Sequence, residues 1–430
     1  MDVLKPKRDY GYQSKDGMTD KDNSQNPMGM NPEEFAAFMR NLQQAMASMP
    51  GGTDAAGVNW QMAETQAREM ARSASQPISD KSRKAIHDAL AIAGLWLDGA
   101  TVISDLSSEP KLLTRELWVA DALPLFQALT QPVASRMSDA LSEHLTKNLP
   151  EELSSILGNA SGLMKSAGGT LFAIQLGQAL GKLSAEVLSG GDIGLPLFKD
   201  QRAAFVPQNL TEFVEGLGPE EDQAYIYLVT REMAHARLFK HSKWLRDHVV
   251  SQISTFASEI SIDNERIGEM AENLDPNDTE AIREAIETGA FIAERTDEQN
   301  QALANIENML ALIEGWVEVV TEEATKLLPK SVAITEAIRR RRATAGPAEV
   351  TFGTLIGLEL RPRRLREATA LWRELTKALG AEKRDSLWGH PDLVPTGADI
   401  DNPAALIAKL QAPTDGTDEF DQALRDLLGE

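Results

Sequence analysis

A mainly α fold with at most a small β element is what this sequence predicts, on three observations. Apolar residues recur at three- and four-residue intervals across most of residues 59–380, the spacing that gathers them on one face of a helix. Runs that alternate with period two are few and short, the best being 193–197 and 203–206, so an all-β or doubly wound α/β architecture does not fit. Helix-start signals recur, as in Asn31-Pro32-Glu33-Glu34 and Pro219-Glu220-Glu221-Asp222. Proline suits a first turn, and acids there face the positive end of the helix dipole.

Taken in order, residues 1–30 are polar, lack an apolar period and read as disordered. Residues 31–57 read as a short helix, ended by Pro50-Gly51-Gly52, and a Gly-rich linker. Residues 58–405 read as a single helical domain, with helices expected over 59–73, 80–105, 115–146, 210–260, 277–328 and 331–380. Pro391, Pro395 and Pro403 punctuate an irregular segment, and 406–430 form an acidic tail with a short helix carrying Phe420, Leu424 and Leu427. Between 169 and 185, Gly169, Ala173, Gly177, Gly181 and Ala185 recur every fourth residue. Such a stripe lets another backbone approach closely. A helix crossing inside the core is the commoner cause; a dimer seam or ligand groove is the alternative.

Composition narrows the function classes. The 430 residues carry 65 acids and 43 bases, a net charge of −22, which disfavours broad nucleic-acid binding. There is no cysteine, so disulfides and thiolate metal sites are excluded and any metal would rest on carboxylates and the six histidines. The N-terminus has no apolar core of signal-peptide length, so a cytoplasmic location is expected. The longest uncharged stretch, between Lys165 and Lys182, is interrupted by Gln175 and Gln178, too short and polar to span a membrane.

Two segments carry candidate chemistry. In Arg231-Glu232-Met233-Ala234-His235 the glutamate and the second histidine stand at the spacing of His-Glu-x-x-His, where two imidazoles one turn apart hold zinc and the glutamate polarises a water. Arg231 takes the place of the first histidine. A guanidinium stays protonated and has no lone pair for a metal. By itself Glu-x-x-His also suits a satisfied core histidine beside paired charges. The second segment is Ala311-Leu312-Ile313-Glu314-Gly315-Trp316-Val317-Glu318. A lone carboxylate in so apolar a run is costly unless paired, and Gly315 leaves room for a close approach.

These segments and their surroundings resemble a known family. The residues that carry the resemblance are REMAHARLFKHSKWLRDH at 231–248, LALIEGWVEVV at 310–320 and RRRRATAGPAEVTFGTLIGLELRPRRLREA at 339–368. SLWGHPDLVPTGADIDNP at 386–403 and GGTLFAIQLGQALGKLSAEVLSGGDIGLPL at 168–197 add to it. The chain is similar over most of 58–404 to actinobacterial hydrolases, or zinc-dependent metalloproteases, of zincin-like fold. The resemblance implies a zincin-like helical domain with zinc as cofactor, Glu232 as general base, His235 as metal ligand and Glu314 as third ligand. Glu318, one turn on, would orient a ligand from behind. Arg231 departs from the motif and puts metal binding, and with it hydrolysis, in doubt. The alternative is a non-catalytic protein that keeps the fold and binds a protein or peptide. If the fold holds, Arg231 is expected to pair with Glu314 or Glu318 and to substitute for the charge of the zinc.

His241 lies six residues after His235, a third-ligand offset in another protease class, but Leu238 occupies the place of the glycine that class needs. Between 339 and 366 there are eight arginines and two glutamates. They suit either an anion site or internal pairing with this chain's many carboxylates, and the few interleaved aromatics weaken nucleic acid as the ligand.

Overall fold

Asn59 accepts the backbone N–H of Met62 and starts α1 (Trp60–Ser73), whose buried Ala63, Ala67 and Ala71 form one face. This is the first helix in a computed structural model that describes residues 52–147, 154–217, 221–260, 293–343, 353 and 363–412. The expected disorder of 1–30, the helix at 31–48, the start of the helix at 277 and the tail helix lie outside the described residues.

The small-residue stripe lies on α4 (Ser154–Glu186) and serves an internal crossing with α1. A Cβ on Gly177 would stand 2.7 Å from the Ala63 carbonyl oxygen, and one on Gly169 would stand 2.1 Å from that of Gly57. Ala185 is exposed, beyond the end of the contact. Gly169→Ala is therefore expected to destabilise the protein by about 3 kcal/mol, the upper end for overpacking, because the neighbour is backbone and cannot rotate away. Chemical denaturation checks this. A loss under about 0.5 kcal/mol would mean that the crossing yields.

Ser79 caps α2 (Asp80–Asp98). The sequence suggests a helix to 105, but the chain leaves it at Gly99. Thr101 Oγ1 then donates to Asp385 at 2.6 Å and the Val102 N–H donates to the same carboxylate at 2.9 Å. A tertiary anchor overrides the local pattern here. The only regular sheet among the described residues joins the chain just before α3 (Arg115–Lys147) to the chain beyond α4. In it β1 (Lys111–Leu112) lies parallel to β2 (Ala204–Phe205), with Lys111 opposite Ala204. Of the two expected strands, 203–206 contributes β2. Residues 193–197 are not a strand, because Gly194 turns the chain at φ 75° and its N–H bonds the Gly191 carbonyl at 3.0 Å.

The remaining helices are α5 (Pro207–Glu215), α6 (Glu221–His241), α7 (Lys243–Ser258), α8 (Asp297–Ala324), α9 (Ser331–Ala343) and α10 (Leu365–Ser386). The proline-rich segment after them, read as irregular, folds into α11 (Gly397–Asp401) and α12 (Pro403–Gln411). Helix α6 is buried on nearly all sides from Ala224 to Phe239, as expected of a helix at the centre of a core. It touches α2, α5, α7, α8 and α9. Helix α8 is equally buried through Leu310–Val317. Gly315 lets α10 approach, since a Cβ there would meet the Thr369 nitrogen at 2.9 Å. The protein is thus mainly α, and no helix among the described residues is long and apolar enough to cross a membrane.

Candidate functional site

Helix α6 presents Arg231, Glu232 and His235 inside the protein, each almost fully buried. Both carboxylate oxygens of Glu232 are taken by backbone donors. Oε2 accepts the Gly191 N–H at 2.8 Å and Oε1 accepts the Ala204 N–H at 3.0 Å. These donors lie at the edge where residues 188–190 run beside 204–206. Burial pushes the Glu232 carboxyl up to about 7, against the pull of those N–H groups, the Ser189 hydroxyl and the Arg231 charge.

The His235 ring lies against Gly191, where a Cβ would meet Nδ1 at 2.4 Å, and 4.8 Å from the Phe239 ring. Its Nε2 is buried without a hydrogen-bond partner. Burial, and then the positive charge of Arg231, lower its pKa to about 3, so the imidazole is neutral at physiological pH. Glu232, His235 and Phe239 line one small cleft together with Leu197 and Phe198. Leu228, which the helical spacing places on the same face, instead lines a second cavity with Arg231.

Arg231 points across to α8 and donates a short hydrogen bond from Nη2 to Glu314 Oε2. The Arg342 guanidinium of α9 forms an ion pair with the same oxygen at 2.7 Å. Glu314 is 1% exposed. Burial pushes its carboxyl up to about 7 while the Arg231 charge pulls it down. Arg231 is buried too, yet Glu314 and Asp192 hold it charged. The Arg231–Glu314 pairing is the one expected from charge. Glu318 pairs with Arg339 at 2.8 Å instead and acts on Arg231 only through its charge. His235 and Glu314 are not joined by any hydrogen bond, and His241 is exposed at the end of α6.

Sequence reasoning missed the loop Gly190–Gly194, which lies against Glu232, His235 and Glu314. Gly190 and Gly191 press on Glu232 and His235, and Gly194 leaves room for the Glu314 carboxylate, 3.1 Å from where its Cβ would be. Asp192 accepts both Arg341 nitrogens, at 2.9 and 2.8 Å, and the Leu188 N–H at 2.9 Å. Its carboxyl is held low although burial opposes this. The signal was available: three glycines within five residues mark a chain that passes close to something.

The arginine run resolves into internal pairs. Arg339 binds Glu318 and Glu322, Arg340 binds Glu336, Arg341 binds Asp192 and Arg364 binds Asp401. Arg361 lies outside the described residues.

The donor set does not suit a zinc ion. Arg231 offers no lone pair, and two guanidiniums place their positive charge on Glu314 Oε2, although Oε1 is buried without a hydrogen-bond partner. Among the described residues no group of three or more His, Cys, Asp or Glu side chains is placed to hold a metal ion.

A family model described as Zincin-like metallopeptidase matches residues 58–407. Among solved structures, the chain is similar to a crystal structure from Chloroflexus aurantiacus described as a provisionally assigned hydrolase with a novel fold. The two share 18% identity at a TM-score of 0.56, over 83% of this chain and 99% of that one. A likeness of this degree concerns the fold. No match was found among curated proteins.

Proposed function

The chain belongs to the zincin-like metallopeptidase family, and we propose that it keeps the scaffold but has exchanged the metal site for a buried ion-pair cluster, so that it binds a protein or peptide and does not cleave it by metal-activated water. One observation carries the reading: the guanidiniums of Arg231 and Arg342 share Glu314 Oε2, where the family motif would bring a cation. Two fixed positive charges repel a dication and answer the carboxylate without it. The Gly191 and Ala204 amides on the two Glu232 oxygens support it further, since hydrogen bonds to a carboxylate weaken it as a base.

Metal analysis of the full-length protein, purified without chelators and dialysed against zinc, tests this. Well under one zinc per chain is expected. Arg231→His combined with Arg342→Gln, which returns a ligand and frees the carboxylate, is expected to raise binding towards one. Stoichiometric zinc in the wild type, lost in a folded His235→Ala variant, would overturn the proposal.

A second reading is a hydrolase, the provisional class of the structural relative. What favours it is that Glu232 and His235 both border the same small cleft and that burial pushes the Glu232 carboxyl up to about 7, suited to proton transfer near neutrality. Peptide hydrolysis abolished by Glu232→Gln would establish it and remove the non-catalytic reading.

A further inference from the structure

Helix α9 packs on the motif helix α6 and is thinly anchored there. Among its described side chains only Ile334, Thr335 and Ile338 are buried, and Val332 is 82% exposed. Ile338 meets Leu188, Leu210 and Leu228 around one small hollow, and Thr335 shares a hydrogen bond with the Tyr227 hydroxyl. Two isoleucines are a slight apolar anchor for a helix of 13 residues, set against the entropy lost in ordering it.

Charge supplies much of the rest. Arg339 reaches Glu318 and Glu322 at 2.8 and 2.7 Å, Arg341 reaches Asp192 at 2.8 Å, and Arg342 reaches Glu314 at 2.7 Å. In every one of these pairs the carboxylate belongs to the body of the protein and is the more buried partner. The body therefore presents an aliphatic floor inside an acidic rim, and α9 brings cations to it from outside. Ile334, Ile338, Arg341 and Arg342 follow the three- and four-residue spacing of one helix face, the pattern by which an amphipathic helix lies in a groove. An element with so few buried apolar groups opens before the core does.

We propose that α9 is a built-in occupant of a peptide groove, and that a basic amphipathic helix of a partner, with the same apolar and arginine spacing, takes the groove when α9 lifts. The partner's aliphatic side chains replace Ile334 and Ile338 against Leu188, Leu210 and Leu228, and its cations replace Arg339, Arg341 and Arg342 on the acidic rim. Helix α9 thus holds the site closed in the free protein. The inference rests on the reading that this protein binds a protein or peptide, and it names the chemistry of that peptide.

A fluorescein-labelled peptide with the sequence of α9 itself, SVAITEAIRRRRA, tests this against the full-length protein by fluorescence anisotropy. Binding to the variant Ile334→Ser/Ile338→Ser, whose own α9 is loosened, is expected to be at least about tenfold tighter than to the wild type, because apparent affinity scales with the fraction of protein whose groove is open. A peptide with both isoleucines replaced by serine is expected to bind at least about tenfold more weakly, which separates groove binding from general attraction to an acidic protein. Hydrogen exchange of the wild type decides the matter if the variant does not fold. Amides of residues 334–342 are expected to exchange at least about tenfold faster than those of 228–239 in α6. Equal exchange in the two helices, equal affinity for wild type and folded variant, or equal binding of the two peptides would each overturn the proposal. Zinc content enters none of these outcomes, so a failure here is separate from a failure of the ion-pair reading.

Discussion

Glu314→Ala is expected to lower folding stability by about 3–5 kcal/mol, the range for breaking a buried ion pair from one side. The reason lies in what remains. Arg231, 7% exposed, would keep its charge in the core with only Asp192 and Glu318 left to answer it, and these are already bound to Arg341 and Arg339. Arg342 has a more exposed side chain, 15%, and can turn towards water. Arg231→Met is expected to cost less than Glu314→Ala, because Glu314 retains Arg342. The double variant Arg231→Met/Glu314→Ala removes both charges and is expected to cost less than the sum of the two single losses, since neither ion of the pair is left buried alone. Chemical denaturation of the four proteins forms the cycle. Losses that add to within about 0.5 kcal/mol would show that the two side chains do not act as a pair.

The second large effect is one of pH, and it has two opposed parts. Glu232 sits at about 7 in the folded protein against about 4.3 in an unfolded chain. Between those values the folded state holds a proton that the unfolded state has released. The stability this gives is complete below the lower value and is lost as pH rises through the upper one. His235 sits at about 3 against about 6.5 unfolded. There the unfolded chain takes up a proton that the buried imidazole refuses, so stability is complete above the upper value and is lost as pH falls through the lower one. Each slope is about 1.4 kcal/mol per pH unit, and they cancel where they overlap, from roughly pH 4.3 to 6.5.

Single substitutions uncover them. Relative to wild type, Glu232→Gln is expected to gain stability as pH rises from 4.5 to 7, and His235→Gln to lose it as pH rises from 3 to 6.5. Any constant cost of either substitution drops out of the slope, and so does the titration of Glu314, which both proteins share. Parallel pH profiles for wild type and Glu232→Gln would mean that Glu232 is ionised throughout and that its backbone donors outweigh its burial.

How much of this was legible beforehand depends on the range over which each feature is decided. Helices α6 and α8 follow from apolar spacing, because a helix sorts its own residues by face. The Arg231–Glu314 pair was legible for a different reason: a carboxylate inside Ala311–Val317 must find a cation, and the motif position offered one. Glu318 was equally eligible by spacing. Which of two carboxylates one turn apart faces α6 depends on how α8 is rotated in the core, and packing decided it by giving Glu318 to Arg339. The end of α2 at Gly99 was misjudged similarly, since the anchor for residues 101–102 is Asp385, far along the chain.

By itself the sequence determined the helical class, the family and the charge problem at the motif, because periodicity, residue type and the absence of a lone pair on Arg231 are local properties. Only the tertiary structure decided how that problem is met. It brought the 190–194 loop onto Glu232, His235 and Glu314, and added Arg342 to the carboxylate and Arg341 to Asp192. Those contacts join residues 28 to 149 positions apart. The physical reason is that burial leaves each charged or hydrogen-bonding group to take the partner that packing places beside it, and no local pattern records which partner that is.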